Sequence, residues 1–226
     1  MIARFVLPAA TAISALVAVA AAPWALGAPW MAFVFKPLTT LLVVAHAWPR
    51  GRDAPLARRW VLAGLVLSLA GDVALLWPRE GFLPGLVAFL LAHLAYLAAF
   101  TRGQPLARPA WPFAAYAVVA AAILGVLWSG VPAGLRLPVV AYVICLVSMA
   151  AQAAVVWRGA RGTPAARRAG LLATGGALFV TSDALLAVNR FMAPLPAAAL
   201  WILASYWAAQ WCIASWLRPG TSDERE

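Results

Sequence analysis

Long apolar runs alternate along the chain with short breaks that carry charge, proline or glycine. The runs cover about residues 5–22, 30–48, 59–77, 82–100, 111–129, 137–157, 168–188 and 196–217. Each is close to the roughly 20 residues an α-helix needs to cross the hydrocarbon of a bilayer. The breaks are Pro23–Pro29, Pro49–Arg58, Pro78–Gly81, Arg102–Pro109, Gly130–Arg136, Arg158–Arg167 and Asn189–Pro194, and all contain residues at which helices end. The runs are continuous and rich in Leu and Ala rather than alternating, which excludes a β-barrel. The pattern predicts an all-α polytopic membrane protein, a bundle of eight transmembrane helices. It forms one domain over residues 1–217 with a short cytoplasmic tail at 218–226.

Composition points the same way. Of 226 residues, 65% are hydrophobic and 11% charged, and the mean hydropathy is +0.89. Soluble domains are nearer 45–50% apolar and about 25% charged, so a soluble enzyme or a disordered binder is excluded. The two cysteines, Cys145 and Cys212, lie inside apolar runs without metal-ligand spacing, and no structural disulfide is expected.

The charge balance is +10, from 17 basic and seven acidic residues. A nucleic-acid partner would require a basic face on a soluble body, which this chain lacks. Instead, the cations sort by side. The N-terminus, the even-numbered loops and the C-terminus hold 13, and the odd-numbered loops hold three, Arg79, Arg136 and Arg190. Such a bias orients both termini to the cytoplasm, as in a plasma membrane or a bacterial inner membrane. Arg4 followed by an apolar run and the alanines near Ala18–Ala22 also fits a cleaved signal peptide, which would leave seven spans.

The seventeenth cation, Lys36, lies within a span, and only two acids do so: Asp72 and Asp183. At mid-membrane each such charge costs roughly 2.5–3.5 kcal/mol unless it is paired or hydrated. Lys36 is six residues from Trp30, Asp72 five before Trp77, and Asp183 six before Asn189. At 1.5 Å per residue all three fall roughly 8–9 Å inside the outer ends of their helices. Gly71-Asp72-Val73-Ala74-Leu75-Leu76 and Ser182-Asp183-Ala184-Leu185-Leu186-Ala187 are alike, and an Arg (Arg79, Arg190) follows each Asp by seven residues. This fits either a four-plus-four parallel repeat or chance similarity between Leu/Ala-rich helices. Phe82, Gly85, Phe89, His93 and Tyr96 form one stripe of the fourth span, and Tyr206 and Gln210 share a face of the eighth. Gln152 and Asn189 add amide groups.

Two carboxylates at one depth suit acid–base chemistry, one held neutral by burial and one ionised near Lys36. A Lys36–Asp pair that only locks helices would leave the second Asp unexplained. No metal or other cofactor is expected, since His46 and His93 are the only histidines. There is no nucleophile elbow and no phosphate-binding glycine loop.

Lys36-Pro37, Gly71-Asp72, the Phe82-to-Tyr96 stripe, Gly176-Ala177-Leu178-Phe179 leading to Ser182-Asp183, Arg190-Phe191, and Tyr206 with Ala209-Gln210 together resemble the YhhN family of lysoplasmalogenases. The resemblance runs from the second span to the eighth. Trp207 stands where that family tends to carry a second tyrosine. The resemblance implies a membrane hydrolase that cleaves the vinyl ether of lysoplasmalogen, releasing a fatty aldehyde and glycerophosphocholine or glycerophosphoethanolamine. Its two intramembrane aspartates would be Asp72 and Asp183. Lys36, His93, Tyr96, Asn189, Arg190, Tyr206 and Gln210 would then support the site or bind the lysophospholipid, with Arg190 and Arg79 as phosphate partners. The alternatives are a small proton-coupled transporter or lipid-binding membrane protein, or the same scaffold hydrolysing another lysolipid.

Overall fold

A computed structural model of the chain describes residues 3–77 and 79–220. The expectations placed on Pro78 and on residues 221–226 lie outside the described residues. Within them the chain is helical throughout: α1 (Ala3–Ala20), α2 (Pro29–Ala47), α3 (Pro55–Ala74), α4 (Phe82–Phe100), α5 (Trp111–Leu127), α6 (Arg136–Gly159), α7 (Ala166–Phe191) and α8 (Ala198–Trp216). Two short 3₁₀ turns, Trp128–Gly130 and Ala133–Leu135, join α5 to α6. Five helices are long and apolar enough to cross a membrane: α2, α4, α6, α7, and α5 with its 3₁₀ extension. Cys145 and Cys212 are free thiols.

Each predicted run became a helix, with three boundaries moved by three residues or more. α3 begins at Pro55, with proline in the first turn where its missing N–H costs nothing. Arg58 and Arg59 are therefore helical rather than part of a loop. α3 also ends earlier, at Ala74. α7 runs to Phe191, so Asn189 and Arg190 belong to its last turn and not to a break. A cation there faces the negative end of the helix dipole. The Asn189 Oδ1 accepts from the Leu195 N–H at 2.9 Å, tying down the turn that follows. Pro194 and Pro196 then separate α7 from α8, which starts only after Ala197 at a left-handed φ of 51°.

The helices pack most extensively as the pairs α3/α4 and α7/α8, followed by α6/α7, α4/α6 and α1/α2. α5 is peripheral and rests mainly on α6. In lipid, close helix contact depends on small residues that let backbones approach. Gly64 lies under the Tyr96 ring, and Gly71 is so close to Phe89 that an added Cβ would sit 2.5 Å from the ring. On the other side of the bundle, Gly175 and Gly176 face the Ala209 carbonyl and the Ala150 Cα, each 3.0 Å from where a Cβ would be. The stripe Phe82, Gly85, Phe89, His93 and Tyr96 is buried along its length. It packs inward because hydrocarbon outside would leave the imidazole and phenol without partners.

Gly71→Ala is expected to destabilise the protein by about 1–3 kcal/mol, because the added Cβ would displace the Phe89 ring from its contact with Tyr206. Gly125→Ala in α5, where nothing lies within 4 Å, is expected to stabilise it by about 0.5–1 kcal/mol through helix propensity. Thermal unfolding in detergent tests both, and the reverse order would contradict the packing.

Candidate active site

The α2 segment Lys36-Pro37-Leu38-Thr39-Thr40 presents Lys36 and Thr40 one helical turn apart, on the same face. That face meets Asp72 of α3. The Thr40 hydroxyl donates to Asp72 Oδ2 at 2.6 Å, and the Lys36 Nζ lies 3.6 Å from Asp72 Oδ1. Lys36 also donates to the Asp72 backbone carbonyl at 3.3 Å. From α8 the Tyr206 hydroxyl donates to the same Oδ2 at 2.7 Å, and the Trp207 Nε1–H donates to Thr40 Oγ1 at 3.1 Å. Asp72 is 1% exposed. A carboxylate so buried needs hydrogen-bond donors and a cation close by; here Oδ2 accepts two hydrogen bonds and Oδ1 faces Lys36.

Asp183 of α7 is held differently. The Tyr142 hydroxyl of α6 donates to Asp183 Oδ2. The His93 Nε2 of α4 lies 3.0 Å from the Tyr142 oxygen and 3.6 Å from Asp183 Oδ2. His93 is fully buried, whereas the Asp183 side chain retains 14% exposure. Phe179 stands between the two carboxyl clusters, edge-on to His93 at 4.7 Å and to Tyr206 at 5.5 Å.

Both aspartates line one cavity of about 680 Å³. Lys36, Tyr142, Ser182, Asn189, Arg190 and Tyr206 also face it. The rest of its wall is apolar, including Ala120, Ile123, Leu124 and Leu127 on one face of α5 and Val143, Leu146 and Val147 on α6. A cavity of this size, apolar with a few convergent polar groups, is the usual form of a small-molecule site. Arg190 stands in the last turn of α7, its guanidinium 4.8 Å over the Phe82 ring. Arg79 is absent from the lining residues. Tyr96 and Gln210 lie behind the Asp72 cluster and are fully buried, with the Tyr96 hydroxyl donating to Gln210 Oε1 at 2.6 Å. Gln152 faces elsewhere: it holds the α4–α5 loop through the Ala107 N–H and the Gln104 carbonyl. Among the described residues, no three His, Cys, Asp or Glu side chains converge as a metal site.

Tyr142, Thr40 and Trp207 are the site residues that sequence reasoning missed or left without a role. The signal for Tyr142 was available. Four tyrosines occur in the chain, and Tyr142 lies six residues after Arg136, the depth already found for the interior charges.

The profile of the YhhN family matches residues 31–217, from α2 through α8. The chain belongs to the YhhN family. Its sequence is 37% identical over 185 residues to lysoplasmalogenase TMEM86B of Sus scrofa, covering 80% of this chain and 73% of that protein. It is 33% identical over 189 residues to the lysoplasmalogenase of Mycobacterium tuberculosis, covering 79% and 66%. Over 107 residues it is 37% identical to the uncharacterized membrane protein YhhN of Escherichia coli O6:H1, covering 46% and 49%. No solved structure matches the chain. This YhhN protein is thus an integral membrane protein whose two interior carboxylates meet at one cavity.

Removing the cation should expose how strongly the Asp72 cluster depends on it. Lys36→Met leaves a buried charge uncompensated and is expected to cost about 3–5 kcal/mol, whereas Lys36→Met with Asp72→Leu should recover most of that loss. The check is a double-mutant cycle by thermal unfolding in detergent. Additive losses would show that Lys36 and Asp72 do not form a stabilising pair.

Proposed function

We propose that the protein is a lysoplasmalogenase: it hydrolyses the vinyl ether of a lysoplasmalogen to a fatty aldehyde and a glycerophosphocholine or glycerophosphoethanolamine. Two relatives carry that name over most of this chain's length. The observation that carries the chemistry is that Asp72 and Asp183, from different helices, line the same cavity. Vinyl ethers resist bases and nucleophiles. They yield when an acid protonates the alkenyl carbon next to the ether carbon, creating an oxocarbenium ion. Water then adds to the ether carbon, and the hemiacetal collapses to aldehyde and alcohol. A pair of carboxyl groups, one neutral and one anionic, supplies the proton and stabilises the cation, as paired carboxyls do in glycoside hydrolysis. The reaction needs neither metal nor cofactor.

The cavity wall accommodates such a substrate. The alkenyl chain lies against the apolar faces of α5 and α6, and the phosphate meets Arg190, whose planar guanidinium suits it. Ser182 and Asn189 provide further polar atoms on the same wall.

The membrane arrangement is part of the same proposal. The chain crosses eight times, with both termini in the cytoplasm and the site in the outer half of the bilayer. The 13-to-3 distribution of cations and the common depth of Lys36, Asp72 and Asp183 support it. The two halves are a parallel duplication, in which α1–α4 correspond to α5–α8. Helix packing supports this. The pairs α3/α4, α2/α3 and α2/α8 have their counterparts in α7/α8, α6/α7 and α6/α4. The partners of the two aspartates follow the same exchange: α2 and α8 hold Asp72, α6 and α4 hold Asp183.

In detergent or lipid nanodiscs, the purified protein should release aldehyde from a lysoplasmalogen. Asp72→Asn and Asp183→Asn should each lower that rate at least 10²-fold, the scale of a lost acid–base group. Full activity in both variants would sink the two-aspartate mechanism. No aldehyde from the unmodified protein would sink the assignment itself.

A further inference from the structure

The two carboxyl groups differ in whether their hydrogen-bond partners can reverse direction. Around Asp72 they cannot readily do so. Lys36 is a donor without a lone pair to offer, and so is the Trp207 indole N–H. Because that indole donates to Thr40 Oγ1 at 3.1 Å, the Thr40 hydroxyl proton is directed onward to Asp72 Oδ2, 2.6 Å away. Tyr206 donates to the same oxygen. Lys36 and the Trp207–Thr40 chain favour the ionised carboxylate, and of these partners only the Tyr206 hydroxyl could accept a carboxyl proton.

Around Asp183 the chain runs either way. With the carboxylate ionised, His93 Nε2–H donates to the Tyr142 oxygen and Tyr142 O–H donates to Asp183 Oδ2. With the carboxyl protonated, Asp183 donates to Tyr142 and the phenol donates to an unprotonated His93 Nε2. In that state the imidazole carries its proton on Nδ1 rather than Nε2. No hydrogen bond to the other ring nitrogen fixes one tautomer, since His93 Nδ1 is buried without a partner in the protein. Asp183 is also the more open of the two carboxyls, 14% exposed against 2% for Asp72.

We infer that Asp183 is the carboxyl that gives and retakes the proton, that Tyr142 and His93 are the positioning residues holding it in both protonation states, and that Asp72 is a fixed anion. The inference rests on the vinyl ether reading above and deepens it. The Asp183 carboxyl proton forms the new C–H bond as the alkene electron pair leaves for it, and the positive charge settles between the ether carbon and its oxygen. The Asp72 carboxylate stabilises that cation without exchanging a proton. Water adds to the ether carbon and yields its proton to Asp183, restoring the carboxyl. In the collapse, the glycerol oxygen takes a proton from Asp183 as its bond to carbon breaks, and the hemiacetal hydroxyl returns one to the carboxylate. One water is consumed and no proton is gained or lost.

The test pairs binding with turnover on purified full-length protein. The probes are a saturated 1-O-alkyl lysophospholipid, which is neutral at the ether, and an analogue with a protonated secondary amine in place of the ether oxygen, mimicking the cation. Unmodified protein should prefer the cationic analogue. Asp72→Asn should lose at least tenfold of that preference, whereas Asp183→Asn should keep it while its turnover falls at least 10²-fold. Tyr142→Phe and His93→Gln should each lower kcat roughly 10–100-fold with KM within about twofold. Their combination should fall no further than the worse single variant, because both act through one carboxyl. Loss of the cationic preference in Asp183→Asn rather than Asp72→Asn would overturn the assignment, as would additive kcat losses or effects confined to KM. Each of those results leaves the hydrolase reading standing, whereas absence of aldehyde from the unmodified protein would remove that reading and this inference together.

Discussion

The fold is organised around one requirement: Asp72 must remain satisfied in a place where hydrocarbon would otherwise exclude it. Helices α2, α3 and α8 each send groups to that task, Lys36 and Thr40 from the first and Tyr206 from the last. In a low-dielectric interior the Coulombic gain is large, but so is the cost of desolvating both ions, and additional donors settle the balance. The small residues follow from the same constraint. Gly71 precedes Asp72 and lets Phe89 approach α3, and Phe89 in turn packs edge-on to Tyr206 at 5.8 Å, which positions its hydroxyl. Packing, hydrogen bonding and charge are therefore solved together at this position.

The second carboxyl shows what the first enables. Asp183 borders the cavity and is tied on one side, through Tyr142 to His93. Its side chain, 14% exposed, faces the space in which a bound alkenyl carbon would lie. Phe179 contacts both clusters, which couples them mechanically while keeping an apolar barrier between them. The apolar walls from α5 and α6 suit the chain of the proposed lipid substrate.

Much of this was legible in the sequence, because membranes restrict where charge can go. The eight helices follow from run length and from proline and glycine, and the rarity of Lys36, Asp72 and Asp183 singled out three residues that line one cavity. The pairing of Lys36 with Asp72 rather than Asp183 was not readable, because it depends on α2 meeting α3 and α8. Thr40 was overlooked because hydroxyls in apolar helices are cheap and common, and nothing local marks the ones that face a carboxylate, whereas Tyr142 was overlooked although its rarity and its register with the interior charges marked it. Trp207 looked like a departure from a pattern, and its role emerged only when its N–H was found on Thr40. The longer α7 arose because a polar Asn189-Arg190 pair reads as a break, although a helix end tolerates both.

The central claim is that a carboxylic acid in this cavity protonates carbon. Turnover of a lysoplasmalogen in doubly labelled water, D₂O enriched in ¹⁸O, tests it most directly, with the aldehyde reduced by borohydride as it forms. The account predicts one deuterium on the carbon next to the former aldehyde, ¹⁸O in the trapped alcohol, and an unlabelled glycerol oxygen. A product without deuterium on that carbon, or ¹⁸O in the glycerophospholipid fragment, would contradict it.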